Sequence, residues 1–139
     1  MIEREILFSP LMRAKLLEGS KTQTRRVLSE AGIVCDLVLG GRAYRKGASG
    51  TREEITCHYG SAGDRLRVRG QPDILLGITE VRAERLDSIS VADALAEGAD
   101  PQTDPIAGYK AIWDGLNAAR GFGWSENPWV WVITFVRLR

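Results

Sequence analysis

Gly19-Ser20-Lys21-Thr22-Gln23-Thr24-Arg25-Arg26 is the stretch on which the reading of this chain turns. It follows a short amphipathic segment, Ser9-Pro10-Leu11-Met12-Arg13-Ala14-Lys15-Leu16-Leu17, in which Ser9 suits a helix N-cap and Pro10 the first helical position. Leu11, Ala14 and Leu17, with Met12 and Leu16, are expected to form the buried stripe. Gly19 ends the helix, because glycine accepts the left-handed conformation that a helix C-terminus needs. The run beyond it turns away into a predicted strand. It gathers an amine, hydroxyl and amide groups and two guanidiniums into a few residues. Such a segment suits an anion-binding or nucleic-acid-binding cleft, and equally a solvated sheet edge.

The 139 residues are expected to form a single domain over 1–139, long enough to bury a core without staples. Two cysteines, Cys35 and Cys57, are too few for a disulfide framework and point to a reduced, cytoplasmic setting. No apolar run is long enough to span a membrane, and Met1-Ile2-Glu3-Arg4-Glu5 lacks the basic lead of a signal peptide. The net charge of +1 conceals an asymmetry, with +5 over residues 1–70 and −4 over 71–139. A basic half suits phosphates, or the two halves attract each other within the fold.

Strands are predicted around Ile2–Phe8, Ile33–Leu39, Ile55–Tyr59, Arg65–Arg69, Ile74–Leu86 and Trp129–Leu138. In Arg65–Arg69 the alternation of Leu66 and Val68 with three arginines marks a half-buried strand. Gly40–Thr51 carries four glycines with Arg42, Arg45 and Lys46, and residues 40–52 read as a mobile basic loop. Ser90-Val91-Ala92-Asp93 resembles a capping box opening a short helix before Gly98. Asp104-Pro105 opens another, with Ile106, Tyr109, Ile112, Trp113 and Leu116 on one face. Helices inserted between strands, rather than alternating with them, argue for an α+β domain built on a small mixed barrel with two to three flanking helices.

The chemistry available is narrow. His58 is the single histidine, and adjacent strand residues such as Cys57 and His58 point to opposite faces. Cys35, Cys57 and His58 fall short of a four-ligand zinc site, so no metal is expected. No phosphate-loop or dinucleotide glycine pattern occurs, and no cofactor is expected. Trp113 and Trp131 read as core, whereas Trp124 and Trp129 flank a turn-like segment and are candidates to touch a ligand. Lys21 and Thr24 suit a base and a nucleophile if the lysine pKa is lowered. In a regular strand residues three apart diverge, so the pair converges only if Lys21 still lies in the turn after Gly19 or a bulge intervenes.

Gly19, Lys21, Thr24 and Arg26 match the Gly-x-Lys-x-x-Glu-x-Arg motif of the ASCH family, in the PUA-like superfamily, with Thr24 in place of the glutamate. Gly63–Arg69, Ile78–Val81, Ala94–Gly98 and the strand near Trp131–Phe135 extend the resemblance over most of the chain. It looks closest to small phage and prophage ASCH-like proteins, through Lys21–Arg26 and Asn127–Val132, although Arg67 and Gly70 stand where those usually carry Trp and Glu. The resemblance implies a small PUA-like β-barrel with a cleft for RNA or a nucleoside. Lys21, Arg25, Arg26, Arg65, Arg67, Arg69, Trp124 and Trp129 are then the candidate binding residues. One branch, the N4-acetylcytidine amidohydrolases, also has threonine at the motif position. By that resemblance Lys21, Thr24 and Glu97 are candidate catalytic residues. A third reading is a phage accessory protein that acts through protein contacts.

Overall fold

Leu66 and Val68 fully bury one face of strand β6 (Arg65–Val68), and the arginines between them turn outward. This strand pairs in parallel with β1 (Glu3–Ile6) and antiparallel with the long β7 (Leu75–Arg85). β7 continues antiparallel to β8 (Trp129–Arg137), and β8 to β2 (Gln23–Val27). The result is a five-stranded sheet ordered β1-β6-β7-β8-β2. A register shift between Ile78 and Glu80 breaks the β7–β8 ladder. The structure, a computed structural model, describes residues 1–139, with the side chains of residues 30 and 31 excepted.

A second, three-stranded sheet holds β3 (Leu37–Leu39), β4 (Arg42–Lys46) and β5 (Arg52–Ile55). Here the reading of 40–52 as a loop differs from the fold. Leu39 pairs with Arg42 across Gly40 and Gly41, whose φ values are +57° and +78°. Two consecutive positive φ angles are what a tight two-residue hairpin turn requires. The glycines therefore serve turns between paired strands, and β4 is paired on both sides. The strands expected at 33–39 and 55–59 are likewise displaced, to Leu37–Leu39 and Arg52–Ile55. Ala83 N donates to Gly41 O at 2.7 Å, which joins the small sheet to β7.

Helix α1 (Pro10–Glu18) is capped by Ser9 and closed by Gly19 at φ +85°. It buries Met12 and Leu16, four residues apart, while Leu11 and Leu17 are exposed. The expected stripe is thus narrower, because a helix of nine residues touches the sheet along one i, i+4 row. Helix α2 (Val91–Ala96) begins with the predicted capping box, in which Ser90 and Asp93 satisfy each other's backbone N–H. Helix α3 (Pro105–Asn117) is capped by Asp104 and buries Tyr109, Trp113 and Asn117, leaving Leu116 exposed.

Strand β8 is covered on both faces. Trp131, Ile133 and Phe135 enter a core with Ile6, Met12, Leu16, Leu66 and Ala43. Val130 and Val132 enter a second core with Leu86, Ala94, Tyr109 and Trp113. The α+β class expected from the sequence is what the chain adopts. No helix among the described residues is long and apolar enough to cross a membrane.

Candidate functional site

Gly19 sends the chain out of α1 so that Ser20 N and Lys21 N both donate to Lys15 O. Thr22 N then donates to Ala96 O at 2.7 Å, and Phe135 N donates to Thr22 O at 3.0 Å. Regular strand begins only at Gln23, so Lys21 still lies in the turn. That is the condition under which Lys21 and Thr24 can serve one cleft, and both line it. The cleft holds about 330 Å³ between α1, β2 and α3. Phe8, Tyr59, Tyr109 and Trp113 provide aromatic wall, and Lys21, Arg25, Arg26, Glu97 and Arg120 provide charge.

Lys21 has every donor of its ammonium occupied. Its Nζ donates to Glu97 Oε1 at 2.8 Å, to Gln23 O at 2.7 Å and to Glu97 O at 3.2 Å. Three donors are all that an ammonium has. Burial lowers the Lys21 pKa below its ordinary value; Glu97 opposes that shift, and Arg26 and Arg25 add to it. Burial, reinforced by the Glu97 carboxylate, pushes the Tyr109 hydroxyl well above its ordinary value.

Glu97 follows α2 directly as its C-cap, where a carboxylate is disfavoured by the helix dipole. It is nonetheless 2% exposed, because each oxygen meets a cation: Lys21 on Oε1, and Arg25 Nη1 on Oε2 at 3.1 Å. Arg25 also donates Nη1 to Gln23 Oε1, and Nη2 to Glu84 Oε2 at 3.1 Å and Asp93 Oδ2 at 3.3 Å. Arg82 joins Glu84, Glu80 and Asp93 at the outer end. A chain of alternating charge thus runs from the cleft floor to the surface of β7. Arg25 Nε is buried without a hydrogen-bond partner among the described residues.

Thr24 and Arg26 take the opposite face of β2 from Gln23 and Arg25. Arg26 Nε donates to Thr24 Oγ1 at 3.2 Å and Nη2 to Leu7 O at 2.8 Å. Its guanidinium lies 4.9 Å from the Phe8 ring centre and 5.7 Å from that of Tyr59.

The remaining predicted site residues are elsewhere. Arg67 pairs with Glu3 at 2.9 Å, and Arg69 lies 3.9 Å from Glu5, both across β1. Arg65 opens β6, which holds Arg67 and ends just before Arg69, and none of the three lines the cleft. Trp129 lies under Arg85, 3.9 Å from guanidinium carbon to ring centre. Trp124 packs on the second core, and its backbone N–H donates to Asp114 Oδ1 at 2.7 Å. Neither tryptophan lines the cleft. Trp113 and Trp131 are buried as expected, and Trp113 Nε1 donates to Phe122 O.

Sequence reasoning missed the partners supplied by other elements: Phe8, Tyr59, the α3 wall, and the Glu84–Asp93–Arg82 cluster. One signal was present. Asn117 continues the Tyr109–Trp113 row of α3 with a polar side chain, which is unusual for a purely structural face.

No family model matches the chain, and no curated protein matches it by sequence. Solved structures do. The ASCH domain from Lactobacillus crispatus JV V101 superposes with a TM-score of 0.59 at 13% identity, over 98% of this chain and 79% of that one. A DUF984 protein from Enterococcus faecalis V583 gives 0.60 at 15% identity, over 99% and 80%. The hypothetical protein PH0355 gives 0.56 at 13% identity, over 99% and 100%. This mixed-sheet domain, with its cleft between α1, β2 and α3, therefore belongs to a known architectural class. The chain has the ASCH-domain fold.

Proposed function

We propose that the cleft binds a single nucleobase, as a nucleoside or as one unpaired base of RNA, in a PUA-like barrel formed by the two sheets. One observation carries this reading: a concavity of about 330 Å³ that sets aromatic wall beside charged side chains. That volume is at the lower end for small-molecule sites and excludes a duplex. A base entering it meets the Tyr59 and Tyr109 rings and the Arg26 guanidinium, which are stacking surfaces common in RNA recognition. The buried Lys21–Glu97 pair forms a rigid polar floor. The ASCH-domain likeness supports a nucleic-acid role. Equilibrium titration of nucleosides and short single-stranded RNAs tests the proposal. Saturable binding weakened by Tyr59→Ala is expected, and absence of binding across the panel overturns it.

A second reading is favoured by a specific observation: Lys21, Thr24 and Glu97 line one cleft, and the Lys21 pKa is lowered. In this reading the chain deacylates an N4-acylated cytosine nucleoside. Neutral Lys21 takes the Thr24 hydroxyl proton while Oγ1 attacks the acyl carbonyl. The bond from carbonyl carbon to N4 breaks, and Lys21 returns the proton to the leaving amine. Water then hydrolyses the threonyl ester, releasing the carboxylic acid and restoring the hydroxyl. Glu97 orients the lysine. Against this, the hydrogen bonds of Lys21 are those of a protonated amine, which is why binding stands first. Acid release from N4-acetylcytidine, lost in Lys21→Ala, Thr24→Ala and Glu97→Ala, is expected on this reading. Release that survives all three substitutions excludes it.

A further inference from the structure

The cations of the cleft are not equivalent. Lys21 has each of its donors placed on Gln23 O, Glu97 O or Glu97 Oε1. Arg25 has both terminal nitrogens on Gln23, Glu97, Glu84 and Asp93, and its side chain is 0% exposed. Neither can meet a ligand without breaking a buried ion pair, a loss that proteins tolerate poorly. Arg26 differs on every count. Its Nε and Nη2 donate to a hydroxyl and a main-chain carbonyl, and no carboxylate pairs with it among the described residues. Nη1 has no acceptor there. The group is partly buried, lines the cleft, and is fixed by two hydrogen bonds and two aromatic rings.

A guanidinium held this way has no carboxylate among the described residues to offset its charge in a partly dehydrated wall. Its side-chain entropy is already lost, so an arriving anion need not order it. Charge-assisted hydrogen bonds from arginine to phosphate are among the stronger polar contacts available. We infer that Arg26 anchors an anion and that the ligand of this cleft is a nucleotide, its phosphate on Arg26 and its base against the aromatic wall. The inference rests on the nucleobase reading above and adds to it the charged group.

The same geometry couples the anchor to the floor. Arg26 repels the Lys21 ammonium, so a phosphate bound on Arg26 removes that repulsion and raises the proton affinity of Lys21. The other charged or titratable groups around Lys21 are Glu97 and Arg25, with Tyr109 across the cleft.

The experiment compares cytidine, cytidine 5′-monophosphate, a short single-stranded oligocytidylate and inorganic phosphate by calorimetry on the wild-type chain. Binding of the monophosphate or the oligomer at least about tenfold tighter than the nucleoside is expected, and their ratio separates a free nucleotide from an RNA chain. Equal affinity for cytidine and both phosphorylated probes overturns the anchor while the nucleobase reading stands. Phosphate binding with no nucleoside contribution overturns the nucleobase reading and leaves the anchor. Arg26→Gln should reduce the preference, read as the ratio of monophosphate to nucleoside affinity, to within about twofold, and Arg26→Lys should recover part of it. A preference unchanged in a folded Arg26→Gln chain excludes Arg26 as its source.

Discussion

Glu97 Oε1 accepts a hydrogen bond from Lys21 Nζ at 2.8 Å, with both side chains 2% exposed. The two residues lie 76 positions apart in the sequence. Removing either leaves a buried charge, but the two losses are unequal. With glutamine in place of Glu97, Lys21 and Arg25 face each other with no negative charge between them. Without Lys21, Glu97 keeps Arg25. Glu97→Gln should therefore cost about 3–5 kcal/mol and Lys21→Met distinctly less. Urea denaturation of both variants measures this. Equal losses would show that Arg25 does not hold Glu97.

Lys21 also predicts how stability varies with pH. Its pKa is lowered by burial, so the unfolded chain holds more protons between that depressed value and the ordinary 10.5. Stability must rise with pH across this window and level off above it. Lys21→Met should remove that part of the slope. A variant with the wild-type slope from neutral pH to about 10.5 would assign it to other groups.

At acid pH, Asp64 is the group to watch. Hydrogen bonds from the backbone N–H of Ile2 and Ser61, both at 2.9 Å, hold its pKa below the usual aspartate value of 3.8. Such a carboxylate contributes fully above that value and ceases to do so as the pH falls through its depressed pKa. The stability gap between wild type and Asp64→Asn should therefore close below about pH 4. A gap constant down to the acid transition would contradict this origin.

Gly98 tests how sensitive Glu97 is to its own backbone. Gly98 has φ +99°, and a Cβ there would lie 2.6 Å from Lys15 Cδ. The lysine side chain can swing away, whereas the backbone angle cannot change without moving Glu97. Gly98→Ala should cost about 1–3 kcal/mol and weaken ligand binding as well. Lost stability with ligand affinity unchanged would show that Glu97 holds its place independently of this turn.

The sequence carried the local features of the fold well. The caps at Ser9, Ser90 and Asp104 and the alternation around Leu66 all depend on near neighbours, and each is where those neighbours put it. The small sheet was less legible. Glycine content alone does not separate a loose loop from a tight hairpin, and the difference at Gly40-Gly41 lies in the pairing of Leu39 with Arg42. At the site, Lys21, Thr24 and Glu97, singled out in the sequence by their motif positions, line one cleft. The contrasting fates of Arg25 and Arg26 were not legible. Adjacent strand residues look alike in sequence, and their roles diverge because α2 covers one face of β2 while the other faces Phe8 and Tyr59. Arg65, Arg67 and Arg69 attracted attention by charge density, yet Glu3 and Glu5 on β1 engage two of them.

Strand β2 has one neighbour in its sheet, β8. Gln23 Nε2 meets Thr134 Oγ1 across 111 positions of sequence. Closing a loop of that size has an entropic cost that no local contact around Lys21 offsets. During synthesis, the first helix and the Lys21 turn leave the ribosome long before the strand that must hold them. The cleft is therefore a late product of folding. A nascent chain lacking β8 has every charged residue of the site and no site, so ligand affinity reports completion of the sheet.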